Sequence, residues 1–555
     1  MRENGELALN ATTDRPVSPP VSPVSPHKAT YDGRIGNFCL HTRLCAEKRN
    51  LGKDVRMIEI DVILLVGAVV LIVAIIAARI GARVGLPSLL LFLGLGMIMG
   101  ESGIGISFDN ADLAQALGFA ALVVILAEGG LTTKWSDIRS STILAALLAT
   151  VAIGISVGLM TLFGHYVLGL PLWIAMLLGA VTSPTDAAAV FSVLRNVPIP
   201  HALRGTLEAE SGLNDAPTVL LVMVASSLAI GEPLEFGVAG LAGLIVLELV
   251  GGLIIGGALG WLGAQILRRV ALPSSGLYPL AILVWTVFAY GITALIHASG
   301  FAAVYVCALI LGNVQLPHRA ATRSFVEGIG WIAQIGLFVM LGLLAFPDRV
   351  TPRAALIALL AGLFLTLIAR PASVAACAAW FKIPVRHQVF LSWAGLRGAV
   401  PIVLTTIPLA QEVTGAEFLF DVVLVFVIVF TCLQGPTLPF VARLLGLVED
   451  GSAQDVEVEV APLDKISADL LQVRIPARSR LVGVEVLELR LPKHTVVSLI
   501  IRGDRPFNPD IRERIQAGDE LLIVTPEDQR VNTEERLRAV GQRGRLARWR
   551  SRGED

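Results

Sequence analysis

The sequence predicts a polytopic, all-α membrane protein with about thirteen transmembrane helices, followed by a small cytosolic α+β domain. Three observations lead to this prediction: the distribution of charge, the length of the apolar runs, and the positions of basic residues between them. The 555 residues include 44 Lys and Arg and 45 Asp and Glu, yet residues 57–449 are only about 9% charged, against about 35% in residues 450–555. A soluble domain carries charge on about a quarter of its residues, so lipid must solvate the central region.

Apolar runs of about 17 to 25 residues, bounded by Gly, Pro or charge, predict the membrane spans. They begin near residues 59, 86, 115, 142, 172, 208, 237, 277, 299, 326, 354, 388 and 419. Twelve basic residues lie in the loops after odd-numbered spans and two in the loops after even-numbered spans. Because basic residues collect in cytoplasmic loops, this asymmetry places the C-terminal tail in the cytoplasm and the start of the first span outside.

Composition divides the rest of the chain. Residues 1–56 are rich in Pro, Ser and Val, which predicts a disordered tail or an over-called translation start. A transmembrane domain over 57–448 and a linker over 449–465 precede a small α+β domain at 466–540, which contains the β-rich segments ADLLQVRIP, TVVSLII and ELLIVTP. Residues 541–555 form a basic tail. The net charge of −1 argues against nucleic acid as a partner.

Ionisable residues inside the predicted spans are candidate functional residues, because a charge in lipid is costly unless it is paired or hydrated. Two spans also contain helix breakers. In the fifth, Pro184 precedes Thr185 and Asp186, and in the twelfth, glycines and a proline surround Arg397 in WAGLRGAVP. These spans lie seven apart and run in opposite directions, so triplets centred on them would form an inverted repeat with two broken helices, as in many secondary transporters.

The sixth span carries polar residues at helical spacing. Ser211 and Asp215 are four residues apart, so both lie on one flank of the helix. Together with Thr185 they offer the oxygen ligands that a hard monovalent cation prefers, and Glu128 at the end of the third span is a further candidate ligand. A carboxylate at Asp215 that binds either a proton or a cation would couple the two movements.

Two more residues of this span complete the predicted site. Asn214 can orient a neighbour but cannot take up a proton, so a single titrating acid predicts exchange of a monovalent cation for a proton without net charge movement. Glu210 lies four residues before Asn214 on the other flank of the helix. We expect Glu210 and Arg397 to form the structural ion pair that neutralises both charges.

The segments SPTDAAAV, EAESGLNDAPTV and LRGAVPIVL resemble the signature segments of NhaP-like sodium(potassium)/proton antiporters of the monovalent cation:proton antiporter-1 family, over roughly residues 60 to 445. The resemblance implies a thirteen-helix homodimer in the bacterial inner membrane, with electroneutral exchange by an elevator-like shift of a core. Matching positions imply a transport carboxylate at Asp215 with its partner Asn214, ion ligands at Ser211 and Thr185, the unwound-helix acid Asp186, a further ligand at Glu128, and the ion pair of Glu210 with Arg397.

The C-terminal tail resembles the C-terminal subdomain of potassium-conductance regulators, through VGVEVLEL, RGDRPFNP and IQAGDELLIV. This resemblance implies a ligand-sensing module, and some such modules bind a cyclic dinucleotide. The two resemblances together favour K⁺ over Na⁺ as the exchanged cation.

Two other function classes stay open from the residues alone. A passive or ligand-gated potassium channel is the first, although no TVGYG-like filter is present. An intramembrane aspartyl protease is the second, although the second aspartate follows Asn in SGLND rather than a Gly-x-Gly segment. The glycine-rich GLGLGMIMG lies inside the second span and is typical of helix packing. We therefore expect neither a cofactor nor an enzymatic activity.

Overall fold

The computed structural model describes residues 61, 64–79, 81, 88–139, 141–186, 189, 199–231, 237–447, 457–463, 468–476, 479–503 and 505–544. The predicted N-terminal tail at 1–56 and the end of the basic tail at 545–555 lie outside the described residues. The chain separates into two compact units, Met1–Val69 and Val70–Asp555. In the first unit, the described residues are 61 and 64–69, and they are helical. All sites discussed below lie in the second unit.

Apolar helices account for most of the described residues up to 447. In chain order they are α1 (Leu64–Arg79), α2 (Ser88–Met99), α3 (Ala111–Thr132), α4 (Trp135–Ile138), α5 (Thr142–Ala149), α6 (Val151–Tyr166), α7 (Leu172–Thr182), α8 (His201–Ile230), α9 (Gly237–Arg269), α10 (Leu277–Leu295), α11 (Gly300–Asn313), α12 (Arg319–Leu344), α13 (Pro352–Phe364), α14 (Arg370–Ala378), α15 (Val385–Trp393), α16 (Ala399–Ala410) and α17 (Ala416–Leu444).

The helical membrane fold is confirmed. Among the described residues, eight helical stretches are long and apolar enough to cross a membrane, and five shorter apolar helices lie at other predicted span positions: α1, α2, α7, α11 and α16. A short helix cannot by itself cross a bilayer core of about 30 Å. The total of thirteen spans therefore stays a prediction.

Helices α7 and α16 are short because the helix breakers act where the sequence predicts. Helix α7 ends at Thr182 and leaves Ser183–Asp186 non-helical, and residues 394–398 separate α15 from α16. Pro401 does not contribute to the second break. It lies in the first turn of α16, where a missing backbone N–H disturbs no intrahelical hydrogen bond. The fifth and twelfth predicted spans are thus both broken helices, whereas the inverted relation of their triplets stays a prediction.

Helix α11 is a largely enclosed short helix, with eleven of its 14 residues buried. It packs on α9, of which only 17% of the most apolar stretch is buried. The contact uses a stripe of glycines on α9 at spacing four. A Cβ on Gly252 would lie 2.4 Å from the Ser299 carbonyl oxygen, and one on Gly256 would lie 2.5 Å from Ala303 Cα. Small residues at this spacing allow close backbone approach in membranes, which fixes α11 firmly against α9.

The C-terminal part is an antiparallel five-stranded sheet in the order β1-β2-β5-β3-β4 with one helix. Its elements are β1 (Glu457–Leu463), β2 (Ala468–Arg474), β3 (Val496–Arg502), β4 (Arg505–Phe507), β5 (Glu520–Pro526) and α18 (Arg530–Arg543). The three β-rich segments of the sequence become β2, β3 and β5. Strand β1 lies within the segment 449–465 that was predicted as a linker, and Glu457 pairs in register with Arg474, so the sheet begins before residue 466.

Candidate ion-binding site

The two broken helices meet at their non-helical segments. The Asp186 backbone N–H donates to the Leu396 carbonyl at 2.8 Å, and Arg397 Nε donates to the Thr182 carbonyl at 3.2 Å. Gly398 permits this approach, because a Cβ there would lie 1.9 Å from Asp186 Oδ2. Each break thus supplies hydrogen-bond partners to the other. This is how irregular backbone is tolerated inside a membrane protein.

Helix α8 brings the predicted ion ligands to the first break. Ser211 Oγ donates to the Thr185 carbonyl at 2.6 Å. Asn214 Nδ2 donates to Thr185 Oγ1 at 2.9 Å and to the Thr185 carbonyl at 3.3 Å. Ser211 and Asn214 lie almost one turn apart on α8, so a single turn of this helix holds Thr185 from two sides. The structure therefore brings Thr185, Ser211 and Asn214 together.

Asp215 lies on the same turn and is only 4% exposed. Its Oδ1 atom is buried and has no hydrogen-bond partner among the described residues. The carboxylate of Asp186 is close enough to repel that of Asp215 electrostatically. Two carboxylates near each other, one with a free oxygen, attract a cation or a proton to the space between them.

A cavity of about 780 Å³ reaches these two carboxylates. Most of its lining comes from α3, α8 and α12, with contributions from α1, α2, α11, Asp186 of the first break and the first residues of α16. Its acidic lining residues are Glu128, Asp186, Glu208, Asp215 and Glu327. Its basic lining residues are Arg204 and Arg323, which lie in the first turns of α8 and α12. The cavity thus leads from these helix ends to Asp215 and Asp186, with an excess of negative charge along its wall.

Glu128 lies in this cavity, as expected for a further ligand. Its Oε2 atom accepts a hydrogen bond from Gln334 Nε2 on α12 at 3.4 Å. Gly330, also on α12, leaves room for the carboxylate, since a Cβ there would lie 2.0 Å from Glu128 Oε2. Thr185 and Asn214 are not part of the cavity lining, but both contact the lining residue Ser211 or its neighbours through the hydrogen bonds described above.

Both parts of the chain match known families. Residues 68–444 match the family described as "Sodium/hydrogen exchanger, transmembrane", which is more than half of the chain. The chain belongs to the sodium/hydrogen exchanger family. Residues 470–537 of this exchanger match the TrkA-C domain, which confirms the predicted resemblance of the tail.

Similar proteins match this chain over most of its length. The exchanger is 35% identical over 459 residues to the "K(+)/H(+) antiporter NhaP" of Alkalimonas amylolytica, covering 81% of this chain and 74% of that protein. It is 30% identical over 478 residues to the "K(+)/H(+) antiporter NhaP2" of Shewanella baltica (strain OS223), covering 84% and 82%. The predicted membership of the NhaP-like antiporters is therefore confirmed.

A solved structure shares the fold. The sodium proton antiporter MjNhaP1 from Methanocaldococcus jannaschii superposes with a TM-score of 0.57 at 21% identity, covering 69% of this chain and 98% of that one. At this identity the likeness supports the fold alone.

One prediction about the exchanger site is wrong. Glu210 Oε1 forms an ion pair with Arg370 Nη2 at 2.6 Å rather than with Arg397, and both partners are almost completely buried. Arg397 instead donates to main-chain carbonyls of the two breaks, those of Thr182 and Gly395. Its own carbonyl accepts a hydrogen bond from Thr431 Oγ1 at 2.7 Å. Arg397 therefore closes the crossing of the breaks, and Arg370 neutralises Glu210.

The surroundings of Arg370 explain this error. The sequence places Arg370 inside the span that begins near residue 354, where a long side chain could either pair with a neighbour or reach the membrane surface. In the structure, helix continues from Pro352 to Phe381, with a π-helical turn at Leu365–Ala369 immediately before Arg370. Such a turn changes the direction in which the following side chains point. Arg370 thus lies in the middle of the span and faces the interior.

Sequence reasoning also left several cavity residues without an assigned role. On α8, Arg204, Glu208 and Gly212 follow each other at spacing four, and all three line the cavity with Asp215. On α12, residues 323, 327, 331, 334 and 338 line the cavity at spacings of three and four. Such a face could have been found by helical periodicity. Tyr305, by contrast, stands in an apolar segment with nothing in the sequence to distinguish it.

Proposed function

We propose that this exchanger moves a monovalent cation, preferably K⁺, across the membrane in exchange for a proton, with Asp215 binding the two in turn. The observation that carries this proposal is the buried, unpartnered Oδ1 of Asp215 at the inner end of a cavity that is otherwise lined by excess acid. An oxygen atom in this position can accept either a proton or a cation. A single carboxylate that binds them in competition couples their movements.

The proposed cation ligands are the Asp215 carboxylate, the Ser211 hydroxyl oxygen and oxygen atoms of Thr185. Ser211 donates its proton to the Thr185 carbonyl, so the lone pairs of its oxygen remain available. Oxygen ligands suit a hard cation, and neutral oxygens around one carboxylate suit a single positive charge. Asn214 keeps Thr185 in place through two hydrogen bonds and carries no exchangeable charge.

Electroneutral exchange is the expected stoichiometry. The Glu210–Arg370 pair is internally neutral, and Asn214 does not titrate, so Asp215 is the group proposed to alternate between a proton and a monovalent cation. Asp186 is proposed to stay charged and to strengthen cation binding through its proximity. One proton would then leave for each cation that enters.

Selectivity for K⁺ is proposed from the relatives. The proteins of Alkalimonas amylolytica and Shewanella baltica are named K(+)/H(+) antiporters, and the chain carries a TrkA-C domain. MjNhaP1 is described as a sodium proton antiporter, which keeps Na⁺ as the second candidate. We further propose a homodimer in the bacterial inner membrane with a cytoplasmic C-terminal domain that binds a small ligand, such as a cyclic dinucleotide. The exposed apolar residues of α9, including Leu247, Ile254 and Trp261, are compatible with such a dimer.

Transport is proposed in preference to proteolysis and to passive conduction. The family that matches residues 68–444 is a family of exchangers, so we assign no hydrolytic reaction to Asp186 and Asp215. A carboxylate buried on the path would also hold a passing ion, which is unfavourable for rapid conduction.

Proton coupling tests this function. In everted membrane vesicles or proteoliposomes with an imposed pH gradient, added K⁺ is expected to dissipate the gradient, and Na⁺ to do so less effectively. Because proton and cation compete for one carboxylate, the KM for K⁺ should rise as the pH falls, by up to about tenfold per pH unit. K⁺ flux without proton movement would contradict the proposal and favour a channel.

A further inference from the structure

One face of α8 forms a continuous wall of the cavity. Arg204, Glu208, Ser211, Gly212 and Asp215 all line it. At a rise of 1.5 Å per residue, the seven residues from Glu208 to Asp215 correspond to about 10 Å along the helix. A partly dehydrated cation cannot bridge such a distance between two carboxylates without oxygen ligands on the way. Within this interval Ser211 offers one hydroxyl oxygen, whereas Gly212, one turn after Glu208, has no side chain to offer.

Tyr305 of α11 occupies the space above Gly212. A Cβ on Gly212 would lie 2.3 Å from Tyr305 Cε2, 2.5 Å from Cζ and 2.8 Å from Cδ2. The ring therefore lies directly on the backbone of α8, and its hydroxyl-bearing carbon lies at the turn between Glu208 and Asp215. Tyr305 also lines the cavity. Only the absence of a side chain at Gly212 permits this arrangement.

The hydroxyl group of Tyr305 is poorly satisfied for a buried group. The residue is 3% exposed, and its Oη atom forms no hydrogen bond of good geometry among the described residues. Thr133 and Glu208 are its polar neighbours; Thr133 is near enough for a weak hydrogen bond, but its Oγ1 already donates to the Gly129 carbonyl at 2.7 Å. A buried hydroxyl with at most one weak partner keeps its oxygen lone pairs available, so such a group in a cavity wall indicates a ligand.

The ring is held firmly in this position. Helix α11 packs closely on α9 through Gly256 and Ala303, as described above. On the α3 side, a Cβ at Gly130 would lie 2.7 Å from the Tyr305 carbonyl oxygen, so the two backbones are in close contact. Tyr305 is thus fixed by two neighbouring helices and places its hydroxyl next to the ion-binding turn of α8.

We propose that the Tyr305 hydroxyl oxygen is a cation ligand of this exchanger, which binds the partly dehydrated ion between Glu208 and Asp215. The phenol oxygen is neutral and accepts a cation through its lone pairs, as the Ser211 hydroxyl is proposed to do at the next position. Tyr305 lowers the KM for the cation and leaves the binding of the proton to Asp215. This inference rests on the proposed cation/proton exchange.

The variant Tyr305→Phe tests the proposal, because it removes the oxygen atom and keeps the ring on Gly212. In proteoliposomes, the KM for K⁺ is expected to rise about three- to tenfold, the range for losing one neutral oxygen contact, while the maximal rate stays unchanged. Calorimetric titration of the purified protein with KCl at high pH should give the same increase in Kd. The Tm without K⁺ should not fall measurably, because the hydroxyl makes no hydrogen bond of good geometry among the described residues.

Tyr290→Phe is the matched control. Tyr290 is a partly buried tyrosine on α10 whose ring packs against Gly300, and it does not line the cavity. This variant should keep the KM and Kd for K⁺ of the unmodified exchanger. An unchanged KM and Kd in Tyr305→Phe, a lower Tm in that variant, or an equal effect of Tyr290→Phe would each overturn the proposal. Failure of the proposed exchange itself would appear separately, as the absence of K⁺-dependent proton movement in the unmodified protein.

Discussion

The crossing of the two broken helices and the charged cluster of the C-terminal domain use similar groups in opposite ways. In the C-terminal domain, Arg502 donates to both oxygens of the buried Asp519 at 2.9 Å and to Glu513 at 3.0 Å. Asp519 also accepts from the Gln516 backbone N–H at 2.7 Å. This network has a partner for each carboxylate oxygen of Asp519, and it fixes the turn before β5.

At the crossing of the two broken helices, by contrast, several buried polar atoms lack hydrogen-bond partners among the described residues. These side-chain atoms include Glu210 Oε2, Asn214 Oδ1, Asp215 Oδ1 and Arg397 Nη2. A partly satisfied buried network costs stability, whereas a complete one rigidifies its surroundings. The Arg502 cluster therefore stabilises the fold of the C-terminal domain. The crossing of the two broken helices instead leaves polar atoms available to bind a cation or a proton.

Asp215→Asn should have the largest effect on exchange. The amide cannot exchange a proton or neutralise a cation, so we expect K⁺-dependent proton movement to fall to background while the protein remains folded. Proteoliposome transport and size-exclusion chromatography measure the two effects. Asp421→Asn is the matched control, since Asp421 is a half-buried carboxylate on α17 that does not line the cavity. Retained exchange in Asp215→Asn would show that another group carries the proton.

The Glu210–Arg370 pair should contribute to the stability of the membrane domain. Removing one partner leaves the other charge buried and unpaired, so Glu210→Gln or Arg370→Gln should each destabilise the protein by about 3–5 kcal/mol. Thermal unfolding in detergent measures this as a lower Tm. The double variant Glu210→Gln with Arg370→Gln should recover part of the loss, whereas Glu210→Gln with Arg397→Gln should not. Equal recovery in both double variants would contradict the observed pairing.

The sequence predicts much of the crossing because its signals are local. Pro184 marks one break, and the four-residue spacing of Ser211 and Asp215 places two candidate ligands on one flank of α8. The partner of Glu210 could not be predicted in the same way. It depends on a π-helical turn at Leu365–Ala369 and on how three distant helices pack, and neither leaves a periodic signal.

The same limit applies elsewhere. Strand β1 was missed because it precedes the first β-rich segment and lies in a segment of mixed composition. Tyr305 could not be recognised because its significance comes from its contact with Gly212, 93 positions earlier in the chain. Functional residues that are marked by local spacing can therefore be predicted from the sequence. Residues whose role depends on contacts between distant helices can be identified only from the structure.

The contacts between Arg502 and Asp519 should stabilise the C-terminal domain, and this can be tested by substitution. Asp519→Asn removes the charge from a completely buried acceptor, so we expect the C-terminal domain to lose about 1–3 kcal/mol of stability. Faster hydrogen exchange in β3 and β5 of the full-length protein measures this loss. Glu485→Gln is the control, because its pair with Arg514 at 3.4 Å is largely exposed and should contribute little. Equal effects of the two variants would show that the Asp519 network is not the structural centre of the domain.

Glu128→Gln should have the smallest effect and tests where the functional region ends. Glu128 lines the cavity but already accepts a hydrogen bond from Gln334, so it is intermediate between the satisfied and the unsatisfied groups. Loss of its charge should raise the KM for K⁺ about three- to tenfold through weaker attraction across a wet cavity, with exchange retained. Glu417→Gln, on an exposed position of α17 outside the cavity, should leave the KM unchanged. A complete loss of exchange in Glu128→Gln would place this carboxylate beside Asp215 in the transport step, and an unchanged KM would assign it to packing on Gly330.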